Sequence, residues 1–579
     1  MKPWLPVVLS VLCASPLVSL AAAPASARSN LEFGHMSNQF LQAMWQNDWD
    51  FSLNAGRYEH ANQLAIPDAK SMDKQRKFAD HWLGMVNNYQ PQQLSPKQAT
   101  DWVLLKNYLQ GQRWYLDQLR QHEWDPSSYN VAGPIDLLLN TDYAPQEQRL
   151  RTLSQRLQGV PAYYAAARAN IKAPTREHTA LALQQIPGTL QVLAALDKAG
   201  QASKLSAQDK RVLQSRVKTA NAAVQAYGDW LKVLDKQEGE RRSFRLGKEL
   251  YDQKFAQEIQ SSLSAEQLYN QALQAKEALL SKMNTLSDEL WPKYMGTQVK
   301  PEERSAKIGQ LIAKMSEQHV ARDQFVPEVK RQIPQLMDWV VDHKLLAMDK
   351  SKPLEVRETP LYQRGVAGAG IEAPGPFRPQ DRTYYNVSPL DDFSAEQAES
   401  ELREYNHWIL QILNIHEAIP GHYTQLVYAN RSPSLVKTLF GNGAMIEGWA
   451  VYGERMMMES GYGGNTPEMW LMYSKWNLRT VCNTILDYRV HVLGLEEKEA
   501  MDFLTKEAFQ TESEARGKWR RVQLTSVQLT SYYSGFAEIM ALREERKKLL
   551  GEKFDLKNFH ETVLSFGSAP VRMIRDMMQ

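Results

Sequence analysis

Cysteine is nearly absent: Cys13 and Cys482 are the two in 579 residues. Cys13 stands inside a leader-like segment, so in the mature chain Cys482 has no partner and an intramolecular disulfide framework is excluded. The core then rests on packing. Cys482 sits in the helical pattern LRTVCNTILDYRVHVLGL and reads as a buried, inert thiol. An excess of one charge is also lacking, since 68 basic and 66 acidic side chains leave a formal net charge of +2. That balance gives no electrostatic reason to expect nucleic acid or an acidic surface as partner. Beyond residue 27, no window approaches 18 uninterrupted apolar residues, which argues against membrane insertion of the mature chain.

The first 27 residues differ from the rest. They combine a basic Lys2, an apolar stretch from about Val7 to Leu20 and the small residues Ala25-Ser26-Ala27, the pattern of a secretory signal peptide. The expected location is therefore the periplasm. Lipid attachment at Cys13 is disfavoured by the bulky Leu12 before it.

Helical spacing dominates the remainder of the chain. Stretches such as ATDWVLLKNYLQGQRWYLDQLRQ place apolar residues three and four apart, and Ser264 and Ser394 stand where helix caps belong. The segment from Pro353 to Pro389 breaks the pattern with dense Gly and Pro and ends in a β-like run, Thr383 to Val387. The expected fold is mostly α, with a small β-sheet edge beside the active site. Two regions are expected after the signal peptide: 28–350 as an N-terminal helical side of a cleft, and 351–579 as the catalytic helical region. The strand is expected to take an extended peptide at the sheet edge, with Tyr385 and Asn386 binding substrate.

The chemistry concentrates in NIHEAIPGHYTQ. His416 is followed by Glu417, but the second histidine, His422, comes six residues later instead of the four that place two side chains on one helix face. Pro420 cannot sustain a regular helix, and Gly421 frees the backbone to recover. A bulge at Ile419 to Gly421 is therefore expected to bring the imidazoles together; the alternative is two unrelated histidines. Downstream, GAMIEGWAVYGERM carries Glu447 and Glu454 on one face of an apolar helix. Buried carboxylates need a partner or a metal. His416, His422 and Glu447 make a three-ligand zinc set, with Glu417 as general base and Glu454 orienting a ligand. The alternative is a glutamate pair bridged to Arg455 or Arg479.

HEAIPGHYTQ followed by IEGWAVYGE resembles the bacterial family known as domain of unknown function 885, whose members share HExxPGH and EGWAxYxE elements. The resemblance continues through QLTSYYSGFAEIMALREE and FDLKNFHETVLSFGSAPVRMI and covers most of the chain from about residue 30. More distantly, the pattern is similar to carboxypeptidase Taq and thimet oligopeptidase-like zinc metallopeptidases, which implies a helical metallopeptidase-like fold with a deep central cleft. That kinship implies one zinc ion at His416, His422 and Glu447, with Glu417 as base. His491 matches a family position suited to a substrate carbonyl or carboxylate, with Arg489 beside it. Tyr532, or Tyr533, is placed to stabilise an oxyanion. The function expected is zinc-dependent hydrolysis of a peptide or small amide. The rival readings are a non-catalytic peptide-binding protein and a zinc hydrolase of non-peptide amides or cell-wall fragments.

Overall fold

The computed structural model of the chain describes residues 25–578 except 238, 240, 353, 361–362 and 365–367. Of the expected signal peptide, the part before Ala25, with Lys2 and Cys13, lies outside the described residues. Helices prevail. The elements that frame the cleft are helices α1 (Arg176–Ala202), α2 (Ala265–Met295) and α3 (Phe325–Asp342); strands β1 (Leu354–Glu358), β2 (Ala369–Glu372) and β3 (Thr383–Val387); and helices α4 (Ala395–Glu404), α5 (Ile409–Glu417), α6 (His422–Ala429), α7 (Gly443–Glu459), α8 (Pro467–His491), α9 (Glu512–Leu524) and α10 (Ser531–Leu550). Among the described residues, no helix is long and apolar enough to cross a membrane.

The helix starts obey local chemistry. Ser264 and Ser394 each accept a bond from the third helical N–H, and the Gln267 and Gln397 side chains accept one from the cap N–H, so both are full capping boxes. Packing does not respect the boundary expected at residue 350. One large core runs from Tyr251 to Ile574 and takes α2 and α3 together with the C-terminal helices. A separate core lies between Leu53 and Leu231, and a third joins Phe33–Leu109 to Val436 and Phe440. Helix α8 is the spine of the large core, buried along almost its whole length.

The three strands are ordered β1-β3-β2, with β1 parallel and β2 antiparallel to β3. This corrects the expected docking strand. Thr383–Val387 is central, so its backbone groups are already paired on both sides and no peptide can be added to it. The edge strand β2 borders the cleft through Ala369, Gly370 and Ile371, and β3 reaches it at its last residue, Val387.

Helices α7 and α10 cross with their backbones touching. A Cβ on Gly535 would stand 1.7 Å from the Ala444 carbonyl oxygen, and one on Gly448 would stand 2.3 Å from the Gly535 carbonyl carbon. Glycine at both positions is what lets the helices carrying Glu447 and Tyr532 approach.

Candidate metal centre

A cleft of about 900 Å³ opens between the sheet and helices α4 to α10, and His416, Glu417, His422, Glu447 and Tyr532 line it. The N-terminal 350 residues contribute Gln184 of α1 and Phe325 of α3 to this lining.

The HEAIPGH segment does not bulge within one helix; the helix stops and restarts. Helix α5 ends at Glu417, the Ile419–Pro420 peptide is cis, and α6 begins at His422. Gly421 N–H reaches back to the Ile415 carbonyl at 3.0 Å, so the chain spans six residues where a helix spans four. A Cβ at Gly421 would lie 1.8 Å from the His416 carbonyl oxygen, which excludes every other residue type. The α7 residue Trp449 donates its indole N–H to the Pro420 carbonyl at 2.9 Å and pins the break.

The imidazoles meet as a result, with ring centroids 4.8 Å apart and nearly perpendicular. Glu447 Oε2 stands 3.6 Å from His416 Nε2 and 3.3 Å from His422 Nε2. Ligand atoms held about 2.0–2.2 Å from one tetrahedral ion stand about 3.3–3.6 Å apart, so these two separations fit zinc. Glu447 Oε2 is also buried without a hydrogen bond, and all three ligand atoms lie within 4.8 Å of one another.

Glu454 sits behind His416. Its Oε1 accepts from His416 Nδ1 at 2.7 Å and from the Trp476 indole at 3.0 Å. With the proton on Nδ1, the Nε2 lone pair is turned towards Glu447, the tautomer a metal needs. Burial opposes charging of His416, yet Glu447 and Glu454 together hold its pKa well above the ordinary value. Burial likewise acts to raise Glu447, but the two imidazoles hold it far below the usual carboxylate range. His422 has no comparable support: its Nδ1 is buried without a partner.

Glu417 is nearly buried at the cleft, and its carboxylate makes no hydrogen bond to a described residue. Tyr532 stacks at 6.0 Å and 19° against the His416 ring, and its hydroxyl accepts from Arg521 at 2.7 Å. Tyr533 points elsewhere, towards the Gln271 carbonyl.

Four other candidates lie away from the cleft. His491 is 2% exposed, and its Nε2 lies 2.9 Å from both the Val522 and Thr525 carbonyls, so it has no face for substrate. Arg489 bonds Tyr269 and lies over Phe503. Tyr385 is fully buried and donates to Asn414 Oδ1 at 2.9 Å, bracing α5 from beneath. Asn386 is held by Arg357 and Glu372 within the sheet. These expectations for His491, Arg489, Tyr385 and Asn386 are corrected: periodicity marks a polar residue in an apolar helix or strand, but not which neighbour it meets. Conversely, Arg521 and Gln528 carry no motif that singles them out. Gln528 accepts from Arg521 at 2.9 Å and donates to Glu447 Oε1 at 3.4 Å; the adjacent Arg520-Arg521 pair inside a helix was the available signal.

A family model described as "Bacterial protein of unknown function (DUF885)" matches residues 51–578. Among solved structures, the chain is similar to a proposed lipoprotein of unknown function from Shewanella oneidensis, at 49% identity and TM-score 0.82 over 94% of this chain and 99% of that one. It shares the fold of a proposed lipoprotein from Colwellia psychrerythraea, at 16% identity and TM-score 0.77 over 95% and 98% of the two chains. An M32 carboxypeptidase from Deinococcus radiodurans R1 aligns at 11% identity and TM-score 0.31 over 83% and 88%. No curated protein matches the chain.

Proposed function

The chain belongs to the DUF885 family of bacterial proteins, and we propose that this member is an exported, zinc-dependent hydrolase of peptides. The observation that carries the reading is the meeting of two imidazoles and one unpartnered carboxylate oxygen beside a free Glu417 in a large cleft.

His416, His422 and Glu447 would hold one zinc ion per chain. Bound there, zinc polarises a carbonyl and brings the pKa of water near 7. The chain's own groups have separate tasks. Glu454 keeps the His416 proton on Nδ1. Glu417 takes the proton of the attacking water and passes it to the leaving amine. Tyr532 donates its O–H to the developing oxyanion; because its oxygen already accepts from Arg521, that proton is free to point outward. The open edge of β2 favours an extended peptide over a compact amide, since backbone pairing needs a strand-like partner.

Relatives described as proposed lipoproteins support export, with residues 1–27 as the signal and the periplasm as the compartment. The test combines metal analysis with a peptide screen. The purified protein should carry about one zinc per chain, and Glu417→Gln should keep the zinc while cutting turnover about 10³-fold. Zinc-free protein, or unchanged turnover in Glu417→Gln, would overturn the proposal.

A further inference from the structure

The wall of the cleft built by α4, α8 and α9 is unbalanced in charge. It presents Arg479, Lys518, Arg520 and Arg521 against Glu401 and Glu514. Glu514 accepts from Arg479 Nε at 2.9 Å and also stands 3.7 Å from Lys518, so one carboxylate serves two cations. Burial, then the nearby Glu514 and Glu404, push Glu401 up to about 8, and burial, then Arg479, push Lys518 well below its ordinary value, so the excess of positive charge rests on the three arginines against Glu514. Among the described residues, Arg520 and Arg521 make no ion pair within 4.0 Å; Arg520 reaches the Gln184 amide instead.

Arg521 is linked to the metal candidates by hydrogen bonds. Its Nη2 donates to Tyr532 Oη at 2.7 Å and to Gln528 Oε1 at 2.9 Å, and Gln528 in turn touches Glu447. Thus one side chain separates the guanidinium from His416 on one route and from Glu447 on the other. Its Nε and Nη1 donate to no described residue and remain for a ligand. A planar cation in a recess of low dielectric, with Glu447 nearby but no carboxylate bonded to it, is complementary to a carboxylate.

We infer that Arg521, backed by Arg520, binds a substrate carboxylate close to the reacting carbonyl and so restricts the enzyme to peptides that present one there. The inference rests on the proposed hydrolase activity for its context, but its binding part can be tested separately. The carboxylate comes from a free C terminus or from an Asp or Glu side chain, and the two sources are separable.

The test uses acetylated tetrapeptides in matched pairs, free acid against C-terminal amide and, within the amides, Glu against Gln, with both kinetics and equilibrium binding measured. Wild type should favour one acidic member by about 100-fold in kcat/KM, mainly through KM. The pair that shows the preference identifies the source. Arg521→Gln should reduce it to within about threefold, raising KM for the acidic member while the neutral member loses only in kcat because Tyr532 loses its donor; Arg521→Lys should restore part of the preference, and Arg520→Ala should weaken it about tenfold. Thermal melting controls for folding. Wild type treating both members alike, or Arg521→Gln losing equally on both at unchanged KM, would overturn the subsite. If no peptide is cleaved, acid-selective binding abolished in Arg521→Gln sustains the subsite and sinks the hydrolase reading, whereas unselective binding sinks the subsite.

Discussion

His416 and His491 are both buried histidines in apolar helices, each beside a carboxylate, yet they end in opposite states. At His416, Glu454 takes the Nδ1 proton and Nε2 is left facing Glu447 and the cleft. At His491, Nε2 is consumed by two backbone carbonyls, while Asp487 lies 3.5 Å away and fully buried. Carboxylates raise the pKa of His416, whereas burial lowers that of His491 to about 4. What separates the two is therefore where the remaining nitrogen lies: His416 Nε2 faces Glu447 and the cleft, whereas His491 Nδ1 is sealed in the core without a partner.

The largest expected effect breaks the closed pair by pH. Burial, opposed by Lys254, raises Asp487 to about 7 from 3.8. Its stabilising contribution is thus fully present below pH 3.8 and is lost as pH rises through 7. His491, lowered to about 4 from 6.5, acts in the opposite sense, present above pH 6.5 and lost as pH falls towards 4. Relative to wild type, Asp487→Asn should therefore gain stability between about pH 4 and pH 8, by up to about 4 kcal/mol. Urea midpoints across that range measure it; a constant difference would show that Asp487 titrates normally. Next in size, His491→Ala should leave two buried carbonyls unpaired and cost about 3 kcal/mol, with zinc content unaltered. Loss of zinc there would erase the contrast. Smaller still, Glu454→Gln should preserve the fold but weaken zinc affinity about 10- to 100-fold, read by competition with a chelator. An unchanged affinity would mean that the Nδ1 bond does not tune the ligand.

Several of these features are legible in the sequence. The capping serines, the helical class and the HEAIPGH and IEGWAVYGE elements all act over a few residues, where spacing and backbone chemistry decide the outcome. Pro420 and Gly421 announce the interruption, although the chain ends one helix and begins another there instead of bulging. Which strand forms the sheet edge is not legible: Thr383–Val387 has the stronger β pattern because it is central and buried, while the edge, Ala369–Glu372, is short and rich in small residues. The direction of His491 and the role of Arg521 are hidden for a similar reason, since their partners lie 31 to 34 residues away for the first and 7 to 11 for the second, beyond what helical periodicity reports.

The sequence by itself determined the two histidines and the glutamate that could hold a metal, the glycine that alone fits the break at residue 421, and the acid next to the first histidine. Tertiary structure decided which polar residues share one cavity. The contact of α7 with α10 at Gly448 and Gly535 brings Tyr532 to His416, and the turn before α10 carries Gln528 between Glu447 and Arg521. Such meetings depend on how whole helices cross, and crossing is set by packing over many residues at once.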